Sequence, residues 1–138
     1  MNKIPAIIKN ITASGGVVLV DLESDSCPLS TLLVDEDKLP EWLTIGASVS
    51  AAFKESELSL AVDLSGKISL RNKLPCTVKT INYGELLSII QLTFGRHTIY
   101  SAITTRSVKA LELKTGTKVT ALIKANEISL MKSENGNR

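Results

Sequence analysis

The tetrapeptide Asn2-Lys3-Ile4-Pro5 returns as Asn72-Lys73-Leu74-Pro75, and the rest of the chain repeats with it. Sliding the sequence against itself by 70 residues aligns residues 2–68 with 72–138 without a gap. Fifteen of the 67 aligned positions are identical, where chance gives roughly four at ordinary composition. The identical pairs include Pro5/Pro75, Lys9/Lys79, Leu22/Leu92, Leu43/Leu113, Gly46/Gly116, Val49/Val119, Ala51/Ala121, Lys54/Lys124, Glu57/Glu127 and Leu60/Leu130. The chain is a tandem duplication, and whatever it folds into must be built twice.

A period of 70 residues exceeds that of solenoid repeats, so each copy reads as a small domain, over residues 1–66 and 67–132. A unit this short buries only a modest share of its surface and is marginal alone. The copies are therefore expected to pack together, or several chains to assemble into a homo-oligomer. The hydrophobic fraction of 43% is ample for a core, and with aromatics at 4% that core is aliphatic. Residues 133–138, Ser-Glu-Asn-Gly-Asn-Arg, are polar and aperiodic and read as a disordered tail.

Alternation in the second copy predicts strands over Leu74–Ile81, Leu86–Phe94 and Thr98–Thr104. A short helix over Ser107–Leu113 follows, with Gly116 as its stop signal. A fourth strand carries Val119, Ala121 and Ile123 on one face, and a fifth carries Ile128 and Leu130. The first copy follows the same plan, with strands near 4–11, 17–23, 29–34, 48–54 and 57–62. Its helix is expected near 37–43, capped at Asp37 so that Pro40 falls in the first turn. Five strands with one helix between the third and fourth is the order of an OB-type barrel. The expected fold is all-β: two OB-like five-stranded β-barrels, each with one short helix.

Several function classes fit poorly. Net charge is +2 with no run of Lys or Arg, too weak a footprint for binding nucleic acid by this chain alone. Trp42, Phe53, Tyr83, Phe94 and Tyr100 are scattered through both copies rather than set out as a stacking platform. No apolar run approaches the roughly 20 residues that span a bilayer, and no signal peptide is legible, so no membrane association and a cytoplasmic location are expected. Cys27 and Cys76 match no metal spacing and read as buried, reduced thiols. His97 is the only histidine, so no triad or His-rich metal site can be assembled. No P-loop or helix-turn-helix is present.

The stretch Lys67–Ile81, Lys-Ile-Ser-Leu-Arg-Asn-Lys-Leu-Pro-Cys-Thr-Val-Lys-Thr-Ile, resembles the opening of the Mop (molybdenum-pterin-binding, TOBE-type) domain family, whose first strand carries Ser-Ala-Arg-Asn. Residues 101–131 resemble the rest of that domain, in the Ile-Thr before the helix, the Leu-x-x-Gly-x-x-Val turn and the Leu-Ile-Lys-Ala strand. The resemblance spans 67–132, and the whole chain looks like a tandem, di-Mop protein. It implies binding of the oxyanions molybdate or tungstate where two domains meet, and a trimer of tandem chains. Nothing marks a pterin pocket. A dianion in a small pocket needs many hydrogen-bond donors and positive charge, with no carboxylate nearby. Ser69 offers a hydroxyl, Leu70 a backbone N–H, Arg71 a forked cation, and Asn72 can brace the strand. Lys124 and the N–H of Ala125 would form a second wall from a neighbouring domain, with Thr104 or Thr105 adding a hydroxyl and Lys54 a further candidate. No residue need act as acid, base or nucleophile, so no enzyme is expected. The leading reading is storage or homeostasis. The alternatives are the ligand-sensing part of a molybdate-responsive transcription regulator, or an assembly module that has lost its ligand.

The bland reading of each residue is a solvated Arg, an exposed strand Lys and a helix-capping Thr. Only their joint order and spacing favours binding. Two departures stand out. Leu70 replaces the family's small residue, and the first copy lacks the motif. There Met1 aligns with Arg71, Asp35 with Thr105 and Glu55 with Ala125. The copies are expected to divide labour, the first structural and the second binding.

Overall fold

The computed structural model describes residues 1–34 and 39–133. It is an all-β molecule of two curled, antiparallel five-stranded sheets of OB type. The first copy supplies β1 (Asn2–Ser14), β2 (Val17–Ser24), β3 (Cys27–Val34), β4 (Ser48–Phe53) and β5 (Ser59–Ala61). The second supplies β6 (Asn72–Asn82), β7 (Leu87–Phe94), β8 (His97–Thr104), the helix α1 (Thr105–Ala110), β9 (Lys118–Ile123) and β10 (Ser129–Lys132). The tail lies outside the described residues from position 134 onward.

The duplication reappears as matched bonds. β1 pairs with β4 through its first half and with β2 through its second, and its register shifts between Ile8 and Asn10. β6 shifts at the equivalent place, between Val78 and Thr80. An extra residue bends a strand, which lets one strand serve both sides of a curled sheet. The bend is pinned from outside. Gly46 N–H donates to Ile8 C=O and Gly116 N–H to Val78 C=O, both at 2.8 Å. These glycines have φ of 91° and 93°, a conformation in which a β-carbon is strained.

The strand order departs from two self-contained barrels. It runs β10-β4-β1-β2-β3 in the first sheet and β5-β9-β6-β7-β8 in the second. Each sheet takes its fifth strand from the other copy: Leu130 pairs with Ala51, and Leu60 with Ala121. Ile4, Ile8, Val20, Leu22 and Val49 form one core with Leu74, Val78, Ile90, Leu92 and Val119, so the copies share a continuous interior. Sharing relieves the small-domain problem, because neither copy must bury its apolar face alone.

The first-copy helix is a correction. Its start, including the Asp37 cap, lies outside the described residues. Leu39–Leu43 is not helical: Leu43 N–H reaches back to Pro40 C=O at 3.1 Å and Thr44 N–H to Trp42 C=O at 3.0 Å. Pro40 cannot donate a helical hydrogen bond, and the described residues from Leu39 to Ala47 run through turns rather than a helix. Short 3-10 turns that the sequence did not announce, Glu55–Glu57 and Ala125–Glu127, lead into β5 and β10.

Both thiols are buried and free. Burial pushes the Cys76 thiol up to about 12, with a smaller contribution from Cys27. The thiolate is the reactive form. Folded protein at pH 8 is therefore expected to give almost no fast reaction with a thiol reagent, and two equivalents once denatured. A fast native titre would contradict this burial.

Candidate functional site

The antiparallel pairing of β6 with β9 sets Asn72 opposite Ile123 at the end of the ladder. Arg71 and Lys124 each stand one residue beyond that pair, so two cations emerge side by side where the sheet ends. Both side chains are exposed, and neither forms an ion pair with another described residue. Ser69 is exposed and Leu70 half-buried, in the irregular approach to β6. Ala125 is half-buried and opens the 3-10 turn, with Lys124 extended just before it at φ −79° in the first copy's counterpart Lys54 and −75° here. Ser69, Leu70, Arg71, Lys124 and Ala125 thus occupy one end of one sheet.

Asn72 belongs to the place but has no donor to spare. It is 0% exposed. Its amide nitrogen donates to Ser30 C=O at 2.9 Å and Ile123 C=O at 3.1 Å, and its Oδ1 accepts from Ser30 N–H at 2.7 Å. It ties the start of β6, directly after Arg71, to β3 of the other copy and is removed from the direct ligands. Asn2 does the same at the equivalent position, exchanging bonds of 2.8 Å with the Tyr100 backbone on β8. A second matched pair accompanies them: Thr31 Oγ1 donates to Ile128 C=O and Ser101 Oγ to Leu58 C=O, both at 2.6 Å. Sequence reasoning missed these junction bonds, although a repeated Asn at strand starts and a hydroxyl at both 31 and 101 were visible signals.

Thr104 and Thr105 stand apart. β8 lies at the opposite edge of the second sheet from β5 and β9, and it packs on the Glu55–Glu57 turn of the first copy. The Ala125–Glu127 turn packs instead on β3. Within one chain the threonines therefore lie on the side of the first copy's turn, not on that of Arg71 and Lys124. Thr105 is 7% exposed; its hydroxyl donates to Gly84 C=O at 2.8 Å and is shared with Ser88 Oγ at 2.7 Å. It has no donor left for a ligand. Thr104 is exposed and caps α1, accepting from Ser107 N–H at 3.1 Å. It borders an open groove with Glu85, Arg106 and Lys109.

Lys54 sits in a cleft with Glu57, Asn126 and Glu127. Glu55 accepts from the Met1 amino group at 2.6 Å, which holds its carboxyl below the usual range. Carboxylates at this place repel a dianion, in keeping with the expected division between the copies. Asp35 lies outside the described residues. Of the aromatics, Phe53 and Phe94 are buried at 2% exposure, so neither can stack on a base. Among the described residues no helix is long and apolar enough to cross a membrane, and no three His, Cys, Asp or Glu side chains gather to hold a metal ion.

Residues 68–130, the second copy, match the TOBE domain family. A solved structure of the cytoplasmic molybdate-binding protein ModG, with molybdate bound, superposes with a TM-score of 0.89 at 28% identity, covering 96% of each chain. A molybdate binding protein from Sporomusa ovata is 45% identical over 49% of this chain and 100% of its own, with a TM-score of 0.48. The molybdenum transport protein ModE of Herbaspirillum seropedicae is 33% identical over 85 residues, 60% of this chain. The chain spans only 32% of that relative's length. The motif at residues 69–72, the duplicated frame and the full-length likeness to ModG agree: the chain belongs to the TOBE domain family, in its tandem, di-Mop form.

Proposed function

We propose that this chain binds molybdate or tungstate through Ser69, the Leu70 N–H, Arg71, Lys124 and the Ala125 N–H, as a cytoplasmic protein for storage or homeostasis. The observation that carries the proposal is the juxtaposition of Arg71 and Lys124 at the end of the β6–β9 ladder, with no carboxylate paired to either among the described residues. Two cations offset a dianion's charge, and the guanidinium fork fixes its orientation. The site does no covalent chemistry. It replaces the oxyanion's water with fixed donors, which costs desolvation and repays it only if every ligand oxygen finds a partner. The surface between Ser69 and Lys124 is open in one chain. A homo-oligomer, a trimer of tandem chains, would cover it, and Thr104 of a neighbouring subunit is the hydroxyl available to complete it.

A ligand held only by the folded state raises stability by about 2.7 kcal/mol at a hundredfold excess over its dissociation constant. Thermal unfolding is expected to shift upward with molybdate and with tungstate, and not with sulfate, whose smaller tetrahedron cannot span the same donors. No shift with either larger oxyanion would defeat the proposal. A second reading keeps the ligand and makes the chain the sensing part of a longer regulator. The partial coverage of the ModE relative favours it, and the length of the native polypeptide on a denaturing gel decides between them.

A further inference from the structure

Asp25 and Gly95 occupy the same place in the two copies, 70 positions apart. Each is the first residue of the two-residue turn that closes a hairpin, β2–β3 or β7–β8, and each has a left-handed backbone, at φ of 45° and 56°. The two turns meet. The Asp25 carboxylate lies directly on Gly95, where any β-carbon would collide with Oδ2. It accepts the Arg96 N–H at 3.0 Å and lies 3.4 Å from Arg96 Nη2 and 3.2 Å from His97 Nε2.

Most of the other junction bonds differ in kind. The Asn2 and Asn72 clamps, the Thr31 and Ser101 hydroxyl bonds and the exchanged strands β5 and β10 all address backbone groups, and each has an equivalent in the other copy. They would form equally well between two identical copies. The Asp25 contact would not. Two first copies would press one Asp25 carboxylate against another, like charges at contact distance. Two second copies would leave Gly95 facing Gly95, with Arg96 and His97 on both sides and no carboxylate between them.

We propose that the seating of Asp25 on Gly95 is a recognition key that makes pairing of the copies heterotypic, so that the partner fitted by the first copy is a second copy and not another first copy. For the oxyanion site, and resting on that proposed function, this key gives one Arg71–Lys124 site to each pair of copies. Pairing of like with like would crowd two sites into one pair and leave none in the other.

The test uses the full-length chain without oxyanion, so its outcome is independent of ligand binding. Three variants are compared by thermal unfolding: Asp25→Gly, Gly95→Asp, and both together. The left-handed backbone tolerates aspartate, since Asp25 already adopts it. Gly95→Asp alone is expected to lower Tm by about 5 °C or more, because it sets two carboxylates against each other. The double variant restores one Asp and one Gly with their positions exchanged, and the Ser26 N–H then takes the part of Arg96. It is expected to recover at least half of the loss. Losses that simply add would overturn the proposal, since independent sites add and coupled ones do not. If Gly95→Asp yields no folded protein, recovery of folded protein in the double variant supports the key, and equal failure of the double variant overturns it.

Discussion

Replacing Arg71 with alanine is expected to weaken molybdate binding by about two orders of magnitude, the cost of removing a forked, charge-assisted pair from a dianion. The unliganded protein should be almost untouched, within about 0.5 kcal/mol, because the side chain is exposed and pairs with no other described residue. Arg71→Lys keeps the charge and loses the fork, so its affinity should fall between the two. Titration calorimetry reads the affinities and thermal unfolding the stability. Equal affinity in wild type and Arg71→Ala would remove the second copy's motif from the site.

The largest effect on stability is expected one residue further on. Asn72→Ala deletes three bonds and leaves Ser30 N–H, Ser30 C=O and Ile123 C=O without that partner at the junction of the copies. An unpaired buried polar group costs about 1–3 kcal/mol, so a loss of about 3 kcal/mol or more is expected, read from denaturant unfolding. Asn72→Asp should fare little better, since a carboxylate cannot donate to the two carbonyls. Asn2→Ala loses only its pair of bonds to Tyr100 and should cost less. A neutral Asn72→Ala would contradict the clamp. Because Asn72 opens β6 directly after Arg71, its loss should also weaken molybdate binding without touching the ligand.

The Asp25 contact adds a pH dependence. The Arg96 N–H, opposed by desolvation and helped by His97, holds the Asp25 carboxyl below its ordinary value of 3.8. A lowered folded value stabilises above the unfolded one and is lost as pH falls through the folded value. Stability is therefore expected to decline below about pH 3.8 more steeply in wild type than in Asp25→Asn. Parallel acid limbs would contradict the assignment.

The strands were legible in the sequence because alternation survives in both copies. The exchange of fifth strands was not, and the reason is the repeat itself. β5 and β10 share the Ser-Leu pattern, and either can set its leucine against Ala51 or Ala121. Nothing local says which sheet receives which strand; the short path through the 3-10 turns decides it. Lys124 was expected from a neighbouring domain, yet the pairing of β6 with β9, the first and fourth strands of the second copy, sets it beside Arg71 in the same sheet; a pairing of strands so far apart in sequence is not legible from local alternation. Thr105 was misread because spacing cannot tell a hydroxyl aimed at solvent from one bonded to Gly84 and Ser88. The relevant hint was Ser88, a polar residue at an inward position of β7 where the first copy has Val18. Asn72 read as both brace and ligand, and only its burial separates the two.

The most direct test of the account is the number of molybdate ions bound per chain, measured by calorimetric titration with sulfate as control. A division of labour between the copies gives about one site of the Arg71 type per chain, with sulfate silent. That heat should vanish in Lys124→Ala and persist in Lys54→Ala. Two equal sites per chain would mean that the first copy binds as well, and no heat with molybdate or tungstate would contradict the central claim.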